Sequence, residues 1–225
     1  MKAMILAAGR GQRMLPLTNT IPKPLIKFNN KHLIEYSIIN LKKAGITEIV
    51  INLHHLGDQI KKVLTDGSKW GVNINYSEEP ELLNTGGGIV CAINKNLLGT
   101  EPFILVSADI ITDFDFSCLL PKLSKLAHLI LVPNPSFNLN GDFSLYNNEL
   151  QLPSRDYNNK NTQLNYTYAS MGVFHQKFFL APPRKIFPLV ESINQAIKNR
   201  QITAEVYSGL WKNIGTLEEL ESFSI

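Results

Sequence analysis

Apolar residues along this chain recur in two rhythms. Residues 2–7 make a short apolar run that ends in small residues and Gly9, the pattern of a buried strand. A loop with Pro16, Pro22 and Pro24 follows. From 33 to 44 the apolar positions Leu33, Ile34, Ile38, Leu41 and Ala44 fall at helical spacing, and Gly45 supplies a stop. Residues 48–53 read as a second buried strand, 57–65 as an amphipathic helix and 72–76 as another strand. A helix over about 88–97 and a core strand over 102–107 continue a β-α-β-α-β alternation. Such alternation implies a parallel sheet with helices on both faces.

The rhythm continues with a helix near 116–125 and a strand over 127–132, then changes. Residues 141–174 alternate apolar and polar around Asn147-Asn148 and include a polar stretch, 154–163, that reads as a lid or an exposed tip. A helix over 187–199, a strand over 203–207 and a helix over 216–222 close the chain. The expected fold is α/β: a Rossmann-like, mostly parallel central sheet flanked by helices, with a small antiparallel lobe in the second half. One domain over residues 1–225 is expected, with no linker or repeat inside it.

Composition narrows the function classes. A chain of 225 residues, 44% hydrophobic and 18% charged, buries enough surface to fold without a metal or disulfide staple. Cys91 and Cys118 sit in apolar runs without metal-ligand spacing and read as small core residues. No run approaches a membrane span, and the first nine residues are too short for a signal-peptide core, so a cytoplasmic protein is expected. A net charge of +3 gives no case for nucleic acid or a membrane surface as partner. The charge is uneven, however: residues 1–70 hold 11 Lys/Arg against 4 acids. That excess fits either an anion site or a solvated basic face.

The loop after the first strand reads Ala7-Ala8-Gly9-Arg10-Gly11-Gln12-Arg13-Met14. Glycines in a turn leaving a parallel strand let backbone N–H groups approach anionic oxygens. The dinucleotide fingerprint fails, because Met14 stands at its third glycine, which argues against a dehydrogenase. The P-loop pattern fails too. What remains is G-x-G-x-R, then Pro16-Leu17-Thr18, then Pro22-Lys23-Pro24-Leu25. Arg13 can fork two phosphate oxygens, and Lys23 is a compact point charge; Arg10 is a third candidate.

This combined motif resembles the signature of the sugar-1-phosphate nucleotidyltransferases. The resemblance extends to Leu33-Ile34-Glu35-Tyr36, Asn52, Asp66-Gly67-Ser68, Thr85-Gly86-Gly87-Gly88-Ile89, Thr112 to Phe116, Gly141-Asp142-Phe143 and Trp211 to Thr216. Within the family it is most similar to the N-acetylmuramate-1-phosphate uridylyltransferases of cell-wall recycling, and mannose-1-phosphate guanylyltransferases share much of the pattern. The resemblance implies an enzyme that joins a nucleoside triphosphate, UTP in the first case, to a sugar 1-phosphate and releases pyrophosphate. It implies a nucleotide half over about 1–115 and a sugar-phosphate half over about 116–225. The length suffices for that catalytic domain without an appended β-helix domain, and the sequence sets no oligomeric state.

By the same resemblance, Arg13, Lys23 and Asp109 carry the chemistry. Ala7, Ala8, Gly9, Gly11, Thr85, Gly86 and Gly87 hold the nucleotide with Arg13 and Lys23. Gly141, Asp142 and Thr167 meet the sugar phosphate. Asp109 and Asn213 would hold Mg²⁺, the expected cofactor. Two of these positions depart from the family pattern. Ala108 stands where glycine is usual before the aspartate, and Asn213 stands where the family carries a second metal-binding aspartate. Asn keeps a carbonyl oxygen but loses the charge. That loss leaves open a non-catalytic sugar-nucleotide-binding protein. On residue type alone, a strand-end Asp109 is also an ordinary cap, Asp142 an ordinary turn residue, His54 and His55 local caps, and Trp70 and Trp211 packing residues.

Overall fold

The run Lys2–Leu6 forms β1, and the sheet is built outward from it. The computed structural model describes residues 1–119, 123–146, 149–153 and 164–222. After β1 come β2 (Lys27–Phe28), β3 (Lys31–His32), α1 (Leu33–Lys43), β4 (Glu48–Leu53), α2 (Gly57–Leu64) and β5 (Asn73–Glu78). Next are α3 (Asn84–Asn94), β6 (Phe103–Ser107), β7 (Ile110–Thr112) and β8 (Ala127–Val132). The chain closes with β9 (Phe143–Tyr146), β10 (Glu149–Gln151), β11 (Asn165–Phe174), α4 (Leu189–Lys198), β12 (Ile202–Val206), β13 (Trp211–Asn213) and α5 (Leu217–Ser222).

The described main sheet runs β5-β4-β1-β6-β11-β8-β12-β10-β9. β1 pairs in parallel with β4 on one side and β6 on the other. β11 enters antiparallel between β6 and β8. β9 and β10 pair as antiparallel neighbours across Tyr146 and Glu149, and β9 returns to pair with β11. The antiparallel lobe thus curls off the parallel half without leaving the sheet. A buried face forms on each side of it. Ile5, Ile51, Ile104 and Ile38 pack in one cluster, and Met4, Val50, Leu105 and Phe174 in the other. This is why the central strands read as continuous apolar runs rather than alternating ones.

α1 starts where His32 and Glu35 form a reciprocal capping pair, with the His32 N–H donating to Glu35 Oε2 at 3.0 Å. It ends at Gly45, whose φ of +79° suits the turn after a helix.

Several expectations need correction. The helix near 116–125 is a 3-10 turn over Phe116–Leu119, and residues 123–126 are not helical. Asp115 explains this, because its carboxylate accepts the Ser117 N–H at 2.9 Å and holds a turn instead. α3 begins four residues before 88, so the glycine run lies inside its first turns. Cys118 is exposed and Cys91 only half-buried; both are free thiols, not core residues. β7 and its antiparallel pairing with β13 had no clear signal, being three residues each. The readings of Asn147-Asn148 and of 154–163 fall outside the described residues.

Candidate active site

The side on which successive strands are added changes at β1. The strands that follow it, β4 and β5, lie to one side, and β6 lies to the other. Loops leaving two adjacent parallel strands on opposite sides diverge and open a crevice at their carboxyl ends. Here the loops are Ala7 to Arg13 after β1 and Ala108-Asp109 after β6, stitched by the Ala108 N–H donating to the Leu6 carbonyl at 3.0 Å. The crevice is a cleft of about 1020 Å³. Ala7, Ala8, Gly9, Arg10, Gly11, Arg13, Lys23, Thr85, Asp109 and Asp142 all line it. Gly86, Gly87, Gly141, Thr167 and Asn213 do not, and each has another use described below.

The glycine loop is fixed from beneath. Gly11 has a φ of +63°, and a Cβ there would lie 2.9 Å from Thr18 Cγ2 and 3.1 Å from Lys23 Cβ. The Thr18 hydroxyl donates to the Gly11 carbonyl at 2.9 Å. Proline-flanked Lys23 is thereby held against the loop, and its ammonium pairs with Asp109 Oδ2. The other carboxylate oxygen of Asp109 accepts the Ser107 hydroxyl at 2.6 Å. Arg13 lies against Gly215, where a Cβ would stand 3.0 Å from its Nη2. Gly215 is itself held by α5: its N–H and that of Thr216 donate to Glu219 Oε2 at 2.6 and 2.9 Å. The last helix therefore seats an arginine of the first loop, a role that no local pattern around Gly215 signals.

On the opposite wall a buried chain of hydrogen bonds joins three strands. Asn52 Oδ1 accepts the Ala7 N–H at 2.8 Å, and Asn52 Nδ2 donates to Glu79 Oε1 at 2.7 Å. Glu79 Oε2 accepts the Leu83 N–H at 3.1 Å, just before α3. Burial pushes the Glu79 carboxyl above its ordinary value of 4.5, opposed by the bonds from Asn52 and Leu83. Glu79 lines the cleft and was missed by the sequence reading; its only sequence signal is a carboxylate at a strand end. His54 and His55 are not local caps: their rings bond the distant carbonyls of Glu79 and Thr18, at 3.0 Å each.

The glycine run of α3 is explained by packing rather than by a ligand. A Cβ on Gly86 would stand 2.2 Å from the Phe187 ring, one on Gly87 2.4 Å from the Lys185 carbonyl, and one on Gly88 2.5 Å from Glu79. The Gly86 and Gly87 N–H groups both donate to the Phe187 carbonyl, at 2.9 and 3.2 Å. Thr85 Oγ1 accepts the Leu189 N–H at 2.8 Å. The glycines thus form a socket for residues 185–189, and that segment brings Pro188, Leu189, Val190 and Ile193 to the cleft as an apolar wall.

On the sugar side, Asp142 faces the cleft but its carboxylate is engaged. Oδ1 accepts Asn138 Nδ2 at 3.0 Å and Oδ2 accepts the Tyr168 N–H at 2.9 Å. Thr167 is buried, its hydroxyl donating to Asn134 Oδ1 and accepting from Asn138 Nδ2. Gly141 is a turn residue at φ +65°, with Asn134 and Asn165 where a side chain would go. Tyr168 and Ser170 line the cleft instead.

Asn213 pairs with Ile110 across β13 and β7, and the next N–H, that of Ile214, donates to the Asp109 carbonyl at 3.0 Å. Its Oδ1 is buried and has no hydrogen-bond partner. An orphaned amide oxygen is a donor type that a hard divalent cation accepts. Among the described residues no group of three His, Cys, Asp or Glu forms a metal cage, so the remaining ligands would have to come from a substrate or water.

A switch-point cleft floored by a glycine loop and lined by Arg13, by Lys23 and by the strand-end aspartate that Lys23 pairs with defines a nucleotide-handling α/β protein. Comparison with known proteins makes this specific. The nucleotidyl transferase family model matches residues 2–136. The chain is 41% identical over 228 residues to N-acetylmuramate alpha-1-phosphate uridylyltransferase of Neisseria meningitidis serogroup B, covering 98% of this chain and 96% of that one. Mannose-1-phosphate guanyltransferase beta-B of Xenopus laevis is 37% identical over 117 residues, 52% of this chain and 32% of its own. The inositol-1-phosphate CTP transferase structure from T. maritima shares the fold with a TM-score of 0.78 at 19% identity, covering 99% and 95% of the two chains. The chain belongs to the nucleotidyl transferase family and is a sugar-1-phosphate nucleotidyltransferase. No helix among the described residues is long and apolar enough to cross a membrane.

Proposed function

We propose that the protein joins UTP to N-acetylmuramate α-1-phosphate, releasing pyrophosphate, in the cytoplasm and in the recycling of cell-wall sugars. The observation that carries this reading is the meeting of Arg13, Lys23 and Asp109 in one cleft at the ends of two adjacent strands. Similarity along nearly the whole chain to a relative of that name supplies the substrates.

An oxygen of the sugar 1-phosphate attacks the α-phosphorus of UTP in line, and the bond to the β,γ-diphosphate breaks. The nucleophile is already anionic, so no general base is needed. Catalysis is then positioning and charge neutralisation. Arg13 forks the leaving diphosphate oxygens, and Lys23 leaves Asp109 to hold the α-phosphate or the sugar phosphate. The loop N–H groups of residues 8–11 receive further phosphate oxygens, and Ala7-Ala8 and Thr85 flank the nucleoside. Mg²⁺ held by Asp109 and the Asn213 amide oxygen would supply further neutralisation of phosphate charge. The nucleotide half spans about residues 1–115 and the sugar half about 116–225.

The test is pyrophosphate release with each nucleoside triphosphate, Mg²⁺ and N-acetylmuramate, glucose or mannose 1-phosphate. Turnover is expected with UTP and N-acetylmuramate 1-phosphate. Arg13→Ala and Lys23→Ala each lower it about tenfold to a thousandfold. Full activity in either variant removes that residue from the mechanism. Preference for GTP and mannose 1-phosphate would transfer the reading to the guanylyltransferase type. Binding without release, relieved by Asn213→Asp, would make the natural chain a sugar-nucleotide binder.

A further inference from the structure

The sugar side of the cleft contains an irregularity that the proposed chemistry leaves unused. β11 pairs Tyr168 with Leu131 and then Gly172 with Leu129, so it carries two more residues than β8 across this step. The bulge contains Ser170, which has a φ of +56° in the middle of a strand. Glycine takes this conformation readily and a side chain rarely does.

The bulge is pinned from both flanks. The Trp211 indole N–H donates to the Ala169 carbonyl at 3.0 Å, and Asp142 accepts the Tyr168 N–H at 2.9 Å. Beyond it, Gly172 lets the strand close on the His128 carbonyl, which a Cβ would approach to 2.5 Å. The effect is to put positions 168 and 170 on the cleft wall while Thr167, Ala169 and Met171 stay buried. On the other edge of β11, Met171 pairs with Val106. That pairing ends at Met171, so Ser170 lies one residue beyond the paired stretch.

Ser170 therefore lines the same cleft as Asp109, Phe143, Leu189 and Ile193. Its hydroxyl has no partner among the described residues. The carboxylate of Asp142 and the hydroxyl of Thr167 are committed to protein partners, whereas the buried Tyr168 hydroxyl, like that of Ser170, has none. Strained backbone that presents an unengaged hydroxyl to a cleft marks a functional position.

We infer that Ser170 is a specificity-determining residue of the acceptor side, its hydroxyl hydrogen-bonding a polar substituent of the sugar ring held in the cleft. This rests on the nucleotidyltransferase reading of the cleft. Its test separates recognition from structure, because glycine suits the backbone at this position and lacks only the hydroxymethyl group. In Ser170→Gly, KM for N-acetylmuramate 1-phosphate should rise about three- to tenfold, the loss of one neutral hydrogen bond. KM for UTP should stay unchanged and the melting temperature should not fall. Ser170→Ala, which keeps the Cβ, should reproduce the same KM change. Calorimetric binding of the sugar phosphate gives the same comparison without turnover. If neither variant changes the acceptor KM, or if both substrates' KM values move together, the inference is overturned and the reading of the reaction stands. If the natural protein neither binds nor converts any sugar 1-phosphate, both fall.

Discussion

At the scale of single residues, the site depends as much on missing atoms as on charged ones. Arg13 reaches the cleft past Gly215, and a Cβ on that glycine would stand 3.0 Å from Nη2 and 3.3 Å from Cζ of the arginine. Gly215→Ala should displace the guanidinium by a few tenths of an ångström or more. Its φ lies outside the left-handed region, so the backbone accepts alanine. The expected outcome is a loss of about ten- to a hundredfold in kcat/KM for UTP with an unchanged melting temperature. Steady-state kinetics beside a thermal melt check it, and unchanged kinetics would show that Arg13 is not seated through Gly215. The charge pattern of the first 70 residues fits an anion site or a solvated basic face and selects no members. Arg13, Lys23 and Arg10 are singled out by the loop motif and by their place in the cleft. Lys61, by contrast, is spent on Asp58 and Glu78 at the surface.

At the scale of elements, α3 shows how tertiary contact overrides propensity. Three successive glycines cost a helix about 1 kcal/mol each, and the run therefore reads as a loop before the helix. The structure places it within Asn84–Asn94, because Phe187 and the Lys185 carbonyl occupy the space that side chains would fill. Gly87→Ala brings two effects of opposite sign. Helix propensity gains about 1 kcal/mol. The clash with the Lys185 carbonyl at 2.4 Å costs about 1–3 kcal/mol, because the obstacle is backbone and cannot rotate away. The variant should be less stable in urea unfolding, and its apolar wall at Pro188 and Leu189 should lose its seat. A more stable variant would mean that residues 185–189 are not docked on the helix. The C-terminal part of the fold carries a similar lesson. Trp211 has the composition of a packing residue and is one, yet its indole also pins the bulge that presents Ser170.

At the scale of the whole molecule, Glu79 ties the loop after β1 to β4 and to the start of α3. Burial raises its pKa, so between its ordinary value of 4.5 and that raised value the folded protein holds a proton that the unfolded chain has released. The contribution of this group to stability therefore falls as pH rises through that window and is level above it. Glu79→Gln does not titrate. The stability advantage of the natural protein over this variant should shrink as pH rises from 4.5 through the raised value, read by urea unfolding at several pH values. A pH-independent gap would mean that Glu79 titrates as it does in the unfolded chain.

The sequence by itself determined which segments form the central strands and the loop chemistry, because both are local. A buried parallel strand needs an unbroken apolar run, as in Lys2–Leu6 and Phe103–Ser107, and a phosphate loop needs its glycines and cations within a few residues of each other. Only the tertiary structure decided which side chains share the cleft. Gly215 seats Arg13 across some two hundred residues of chain, Asn52 and Glu79 meet through strand pairing, and Ser170 turns inward because a register shift against β8 leaves two residues over. Such relations are set by where the sheet brings distant strand ends together, and no window of the sequence contains both partners.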